Sequence, residues 1–192
     1  MPDGRNLPAL NVGEKLRRII AIRRRRRRRL AIAALAGFVV IPLSLSLAWR
    51  PPTLLVWNAS ASAPIGLYGL HAGKPIRRGD MVVAWTPEPG RTLAAQRHYL
   101  PANVPLVKRV AAVAGDYVCA VGSAISINGK TAAVRQRLDP AGRPMPSWSG
   151  CRQLRRHEYF LLMDSALSFD GRYFGVTRSN DVLGPAELLW AR

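Results

Sequence analysis

The sequence predicts a mainly β domain carried behind a single N-terminal transmembrane helix. Three observations point there. The 20-residue stretch Leu30–Trp49 holds no charge and directly follows seven consecutive arginines, Arg23–Arg29. Beyond it the chain breaks into short apolar runs separated by Gly, Pro, Asn and Asp. Two of those runs flank Asn128-Gly129, the strongest short-range hairpin signal a sequence offers. The 192 residues thus divide into a basic cytoplasmic tail (1–29), an anchor (30–49) and one translocated domain (50–192), a length that holds one core of ordinary size.

The formal net charge of +18 suggests a nucleic-acid partner until its placement is considered. Residues 1–29 hold eleven basic side chains against Asp3 and Glu14, so +9 of the charge lies in the tail. The rest is scattered without the aromatic interleaving of a single-strand binder, and no nucleic-acid partner is expected. The arginine block instead sets topology, with the N-terminus cytoplasmic. Some 20 apolar residues are what a spanning helix needs. A membrane helix tolerates Pro42, Ser44 and Ser46 can bond back to its backbone, and Trp49 and Trp57 suit the interface. A cleavable signal peptide is the rival reading, since Ser46-Leu-Ala48 has a small-x-small pattern; the basic and apolar regions are both too long for it.

Next comes Asn58-Ala-Ser60-Ala-Ser62-Ala-Pro64-Ile-Gly66-Leu-Tyr68, whose small residues, proline and glycine predict an exposed turn presenting serines. Strands are expected over Thr53–Trp57, Met81–Trp85, Leu106–Ala114, Tyr117–Val121, Ile125–Ile127, Thr131–Val134 and Glu158–Asp164. Arg135–Gly150 reads as a loop, and Arg91–Leu100 is the one helical candidate outside the anchor. Cys119 and Cys151 both lie on the translocated side, where two thiols commonly pair; their spacing resembles no metal site. His71, His98 and His157 lack companions at ligand spacing, and no phosphate loop or dinucleotide fingerprint is present, so neither metal nor cofactor is expected.

Of 29 basic residues only Lys15, Lys74, Lys108 and Lys130 are lysine. A His–Asp pair could activate a serine in principle, since three histidines are present, but the better lead is lysine, because arginine does not release its proton in proteins. Lys15 lies in the tail, while Lys74 and Lys130 sit in solvated turns. Lys108 lies within an apolar strand, where alternation sends Lys108 and Arg109 to opposite faces. Either Lys108 points inward, with its pKa lowered toward neutrality and able to take a proton from a serine, or it snorkels to the surface.

Ser62-x-Pro64-x-Gly66-x-Tyr68, then Val107-Lys108-Arg109-Val110 through Gly115-Asp116, then Ser168-Phe-Asp170-Gly-Arg172-Tyr-Phe-Gly175 occur in that order. As an ordered set they resemble the three boxes of the type I signal (leader) peptidases, and the serine-rich first box is closer still to the conjugative-transfer, TraF-type branch. The resemblance covers most of residues 54–190. It implies a leader-peptidase-like β-sheet catalytic domain with Ser62 as nucleophile and Lys108 as general base. It further implies that Ser60 helps hold the oxyanion and that Ser168 and Asp170 support the lysine. Ser60 as a turn hydroxyl and Asp170 as a surface partner of Arg172 are the plainer alternatives. The third box lacks the Asn-Arg-Asp-Asn-Ser run of typical leader peptidases, which favours the TraF-type branch and leaves Ser168 less firmly placed than Asp170.

The expectation is a serine endopeptidase of the bacterial inner membrane with its catalytic domain in the periplasm. It would remove a signal or terminal peptide from a pilin-like or other exported precursor, alongside conjugation or type IV secretion components, with closure of the pilin into a ring as one outcome. A housekeeping signal peptidase and a non-enzymatic single-pass channel component are the alternatives.

Overall fold

The computed structural model describes residues 9–48 and 54–192, in two units divided after Pro52. The first contains one helix, α1 (Ala9–Ala48). Arginine is a good helix former, and the basic block and the apolar run lie in one continuous helix. Pro42 lies inside it, and Ser44 Oγ donates to the Val40 carbonyl at 2.8 Å, the back-bond expected of that serine. Among the described residues no helix is long and apolar enough to cross a membrane. The anchor expected over 30–49 is therefore not established, nor is the topology that depended on it. Residues 1–8, Trp49 and Arg50, the side chain of Ser46, and Thr53 at the start of the first expected strand lie outside the described residues.

The second unit is mainly β, as expected. Its strands are β1 (Leu55–Asn58), β2 (Gly66–Leu70), β3 (Met81–Ala84), β4 (Leu106–Ala112), β5 (Tyr117–Val121), β6 (Ala124–Ile127), β7 (Lys130–Val134), β8 (Gly150–Gln153), β9 (Glu158–Leu162), β10 (Thr177–Arg178) and β11 (Val182–Ala191). Two short helices, α2 (Gly90–Gln96) and α3 (Gly171–Phe174), interrupt them. One sheet has the order β1-β2-β11-β3-β4-β9-β10 and the other β7-β6-β5-β8. Every pairing is antiparallel, so short loops suffice and each strand can bury one face.

The seven strands expected from apolar runs are all present within a residue or two. Four more were not foreseen, and each has a physical reason. The turn expected across 58–68 ends early, because Gly66–Leu70 is strand β2 between β1 and β11. A Cβ at Gly66 would lie 2.0 Å from the Trp190 carbonyl oxygen, so glycine here serves close strand approach. β11 contains Gly184-Pro185, which reads as a breaker; it is where the strand leaves β3 for β2, with His71 N–H donating to the Pro185 carbonyl at 2.9 Å. β8 (Gly-Cys-Arg-Gln) is exposed along its length and shows no apolar alternation, and β10 is two residues long.

Three apolar clusters fill the unit. Val82, Ala84, Leu106, Val110 and Leu161 lie on one face of the large sheet, and Val56, Tyr68, Leu70, Val83, Val107 and Met163 form a second cluster. Val118, Ala120, Ile125 and Leu154 of the smaller sheet and its exit pack on Phe160 and Leu162 of β9. Cys119 and Cys151 sit directly opposite one another on β5 and β8 and are disulfide-bonded.

One buried ion pair organises the loop after β9. Asp170 and Arg172 are both essentially without solvent exposure. Arg172 Nε donates to Asp170 Oδ1 at 2.8 Å and Nη2 to Oδ2 at 3.1 Å, a two-pronged pairing. Arg172 also donates to the carbonyls of Met163 (2.6 Å) and Ala166 (3.2 Å), while Asp170 accepts from the N–H groups of Met163 and Arg172 and so caps α3. The corner is too tight for a side chain at Gly171, whose Cβ would lie 2.7 Å from the Leu161 carbonyl oxygen.

Two stability measurements follow. Asp170→Asn leaves a buried guanidinium without its counter-charge and should cost about 3–5 kcal/mol in denaturant unfolding; a cost under 1 kcal/mol would show that the pair does not hold the loop. Replacing both cysteines by serine releases a cross-link over a sequence separation of 32 and should cost about 3–4 kcal/mol, with an unchanged midpoint as the contrary result.

Candidate active site

Three elements bring three hydroxyls and one amine together. The first is the turn between β1 and β2. Asn58, buried at the end of β1, donates through Nδ2 to the carbonyls of Ser60 (2.9 Å), Ala63 (3.2 Å) and Pro64 (3.0 Å), and its Oδ1 accepts from the Ser60 N–H at 3.1 Å. The Tyr68 hydroxyl donates to the Pro64 carbonyl at 3.0 Å. A turn with no regular hydrogen-bond ladder thereby has its polar groups satisfied from inside the fold. Ser60 and Ser62 are left on the accessible side, their Oγ atoms 3.0 Å apart.

The second element is β4, paired on both sides by β3 and β9. Alternation sends Arg109 outward to Asp164 at 2.9 Å and Lys108 inward, where only 4% of its surface is exposed. Lys74 and Lys130 are exposed, in keeping with their turns. Lys108 does not snorkel. Its Nζ donates to Ser62 Oγ at 2.8 Å and to Ser168 Oγ at 2.8 Å. The third element is the loop after β9, which carries Ser168, itself buried.

Burial lowers the Lys108 pKa most; the Asp170 carboxylate raises it and the Arg172 guanidinium lowers it, leaving it at about 8 against an ordinary 10.5. At about 8 the amine exchanges protons near neutral pH. In its neutral form it can accept a proton from Ser62 while still donating to Ser168, which is the arrangement a nucleophile and its base require. The site opens into a cleft of about 660 Å³.

The structure thus brings Ser60, Ser62, Lys108 and Ser168 into one hydrogen-bonded set. Asp170 is not in it. Its oxygens are taken by Arg172 and by backbone N–H groups, so it reaches Lys108 through its field alone. Its partner is Arg172, as the plainer alternative had it, but the pair is buried rather than on the surface. The Ser60 hydroxyl accepts from the Ser62 N–H at 3.3 Å, so the two donors expected to face an oxyanion bond to each other here. Cys119–Cys151 lies in the smaller sheet. His71 lies 3.6 Å from Glu187, an ion-pair distance its sequence neighbours do not announce. Among the described residues no three His, Cys, Asp or Glu side chains form a metal-binding group. Asn58 is the site residue that sequence reasoning left without a role, and the tie that Arg172 makes to the carbonyls of Met163 and Ala166 was likewise not foreseen. Asn58 carried one faint signal, a polar side chain ending an apolar run directly before a serine turn.

Comparison with known proteins agrees with the ordered boxes. The family model described as signal peptidase, peptidase S26, matches residues 26–191. A plasmid transfer protein TraF of Escherichia coli is 31% identical over 137 residues, 66% of this chain and 77% of that protein. A probable conjugal transfer protein TraF of Sinorhizobium fredii is 34% identical over 142 residues, 68% of this chain and 73% of that protein. A signal peptidase I of Enterococcus faecalis overlaps 58% of this chain and 97% of its own at 20% identity, with a TM-score of 0.35. The chain therefore belongs to the peptidase S26 family of signal peptidases, in its TraF-like branch.

Proposed function

We propose that this chain is a serine endopeptidase that works through a Ser62–Lys108 dyad and matures an exported, pilin-like precursor in conjugative transfer. The observation that carries the reading is the 2.8 Å contact between the Nζ of a buried lysine and the Oγ of a partly accessible serine in a cleft. Family membership supplies the reaction class, and the TraF relatives supply the setting.

Neutral Lys108 takes the hydroxyl proton of Ser62 as Oγ bonds to the scissile carbonyl carbon. The oxyanion that forms is held by the Ser62 N–H and, once its hydroxyl turns outward, by Ser60; one such donor is worth about 3 kcal/mol. Ser168 keeps the amine aimed throughout. Lys108 then passes its proton to the departing amine as the C–N bond breaks, leaving an ester on Ser62. Water attacking that ester gives a linear product. The substrate's own amino terminus attacking it gives a ring lighter by one water.

The exposed side chains of Leu54, Leu55 and Trp57, with the Trp190 ring tilted against Trp57 at 5.7 Å between centroids, give the domain an apolar rim beside the cleft. Such a rim suits a domain working at the bilayer surface, held there by an anchor over residues 30–49 with the arginine block on the cytoplasmic side.

A serine-directed acylating probe should place its acyl group on Ser62, located by mass spectrometry, and Ser62→Ala and Lys108→Ala should each lower labelling at least 100-fold without altering the melting temperature by more than a few degrees. Normal labelling of Lys108→Ala would sink the dyad. Because the amine is active when neutral and titrates near 8, the labelling rate should rise about tenfold from pH 7 to pH 9 and be half-maximal near pH 8; a flat profile over that range would exclude Lys108 as the base. In cells, the intact mass of the matured precursor distinguishes a linear product from a ring.

A further inference from the structure

One wall of the cleft carries charge that the dyad does not use. Asp139, 2% exposed at its side chain, is the centre of the loop between β7 and β8. Its Oδ1 accepts from the N–H groups of Ala141 (3.0 Å) and Arg143 (2.8 Å), and its Oδ2 from Arg143 Nε (2.7 Å) and the Tyr99 hydroxyl. Both oxygens are thus fully engaged. Arg97, just after α2, lies 3.8 Å from the same Oδ2, and its Nη1 donates to the Pro144 carbonyl at 2.9 Å. Two guanidiniums therefore share one carboxylate, and this end of the cleft keeps an unbalanced positive charge. Among the described residues, Nε and Nη2 of Arg97 and both Nη atoms of Arg143 have no protein acceptor.

These donors are well placed to be held still. The Arg143 guanidinium lies over the Tyr99 ring at 5.7 Å, and the Arg97 side chain is only 20% exposed. The Tyr99 ring in turn packs 5.5 Å from Phe169, the residue after Ser168. The cation pair is thus one ring contact away from the loop that aims Lys108, within the same cleft. Among the described residues its charged lining is Arg97, Arg143, Asp139 and Lys108. Aliphatic and proline side chains, among them Leu100, Pro101, Val104 and Leu138, line much of the remainder, where a charge on the substrate would be poorly solvated.

We propose that Arg97 and Arg143 form a carboxylate-binding subsite, which selects substrates carrying a negative charge a few residues from the bond that is cut. The proposal rests on the serine-peptidase reading of the cleft and deepens it. A planar guanidinium with two free donors takes a carboxylate in a forked geometry. The carboxylate comes either from an Asp or Glu side chain or from a free C-terminus.

The test uses the full chain in detergent micelles with Ser62→Ala, so that binding is read without turnover. Fluorescein-labelled, alanine-rich decapeptides carry one glutamate walked through the sequence, each with a glutamine counterpart and each with a free or an amidated C-terminus. Fluorescence anisotropy should show, at one register, either the glutamate or the free-ended peptide binding about tenfold tighter than its neutral partner. Raising the salt should shrink the difference. Arg97→Gln and the more exposed Arg143→Gln should each remove most of it while leaving the neutral peptides' affinity unchanged. Equal binding of charged and neutral peptides at every register overturns the subsite, and so does a preference that survives both substitutions. Acyl labelling of Ser62 in the unsubstituted protein is scored separately: labelling with flat binding removes the subsite alone, and charge discrimination without labelling removes the peptidase reading alone.

Discussion

The structure depends on keeping one lysine amine out of water. An ordinary lysine titrates near 10.5, and holding Lys108 at about 8 corresponds to about 3 kcal/mol of lost stability at neutral pH. The sign follows from proton binding. Below pH 8 both folded and unfolded chains carry the charge and the folded one bears the full penalty. Between 8 and 10.5 the folded amine is already neutral while the unfolded one is not, so stability recovers as pH rises. A domain of this size accepts that penalty because β4 lies inside a seven-stranded sheet, with Val82, Val110 and Leu161 around it at no solvent exposure. Among the described residues the amine's hydrogen-bond partners are two hydroxyls, and each sits on an irregular segment that must be fixed by other means.

The means are alike in kind. Asn58 ties the Ser60–Ser62 turn to the end of β1 through three carbonyls, and Arg172 holds the Ser168 loop through the carbonyls of Ala166 within it and Met163 just after β9. A buried side chain with several donors replaces the ladder that a loop lacks. Asparagine does this without charge. Arginine brings a charge and therefore needs Asp170, whose carboxylate and the guanidinium then act on Lys108 in opposite senses. The carboxylate raises the amine's pKa and the guanidinium lowers it, both by less than burial does. The pair leaves burial in control, so the lysine's proton affinity follows from its place in the sheet.

How much of this was legible in the sequence depended on whether the signal was local. Apolar runs and Asn128-Gly129 foretold seven strands because alternation and turn chemistry are properties of neighbouring residues. Lys108 stood out because lysine is scarce here and an apolar strand surrounds it. The turn read across Gly66 and the unforeseen strand through Gly184-Pro185 escaped such patterns, because their glycines and proline answer to the partner strand, through a carbonyl at Gly66 and a change of neighbour at Pro185. Asp170 was placed beside the lysine by resemblance, whereas its real partner, two residues away in sequence, was the humbler reading and turned out to be buried. Distances across 46 and 60 residues, such as Lys108 to Ser62 and to Ser168, lie beyond any local pattern.

The resting state of the nucleophile turn bears on when the proposed chemistry starts. Ser62 Oγ is bonded on two sides, by Lys108 Nζ and by Ser60 Oγ, and the Ser62 N–H is turned onto Ser60 as well. A carbonyl oxygen arriving at this N–H competes with a contact at 3.3 Å, which is long and weak, so little is lost when it is displaced. Ser60 Oγ is only the acceptor in that contact, so its hydroxyl proton is not used there and, in the proposed chemistry, would be the one to swing toward the oxygen that is gaining charge, in a hydrogen bond that strengthens as that charge grows. On the proposed mechanism Ser60 would satisfy the turn before substrate arrives and become an oxyanion donor only afterwards. The turn-hydroxyl and oxyanion readings describe the same side chain at two stages, and the second acts on the transition state more than on the bound substrate.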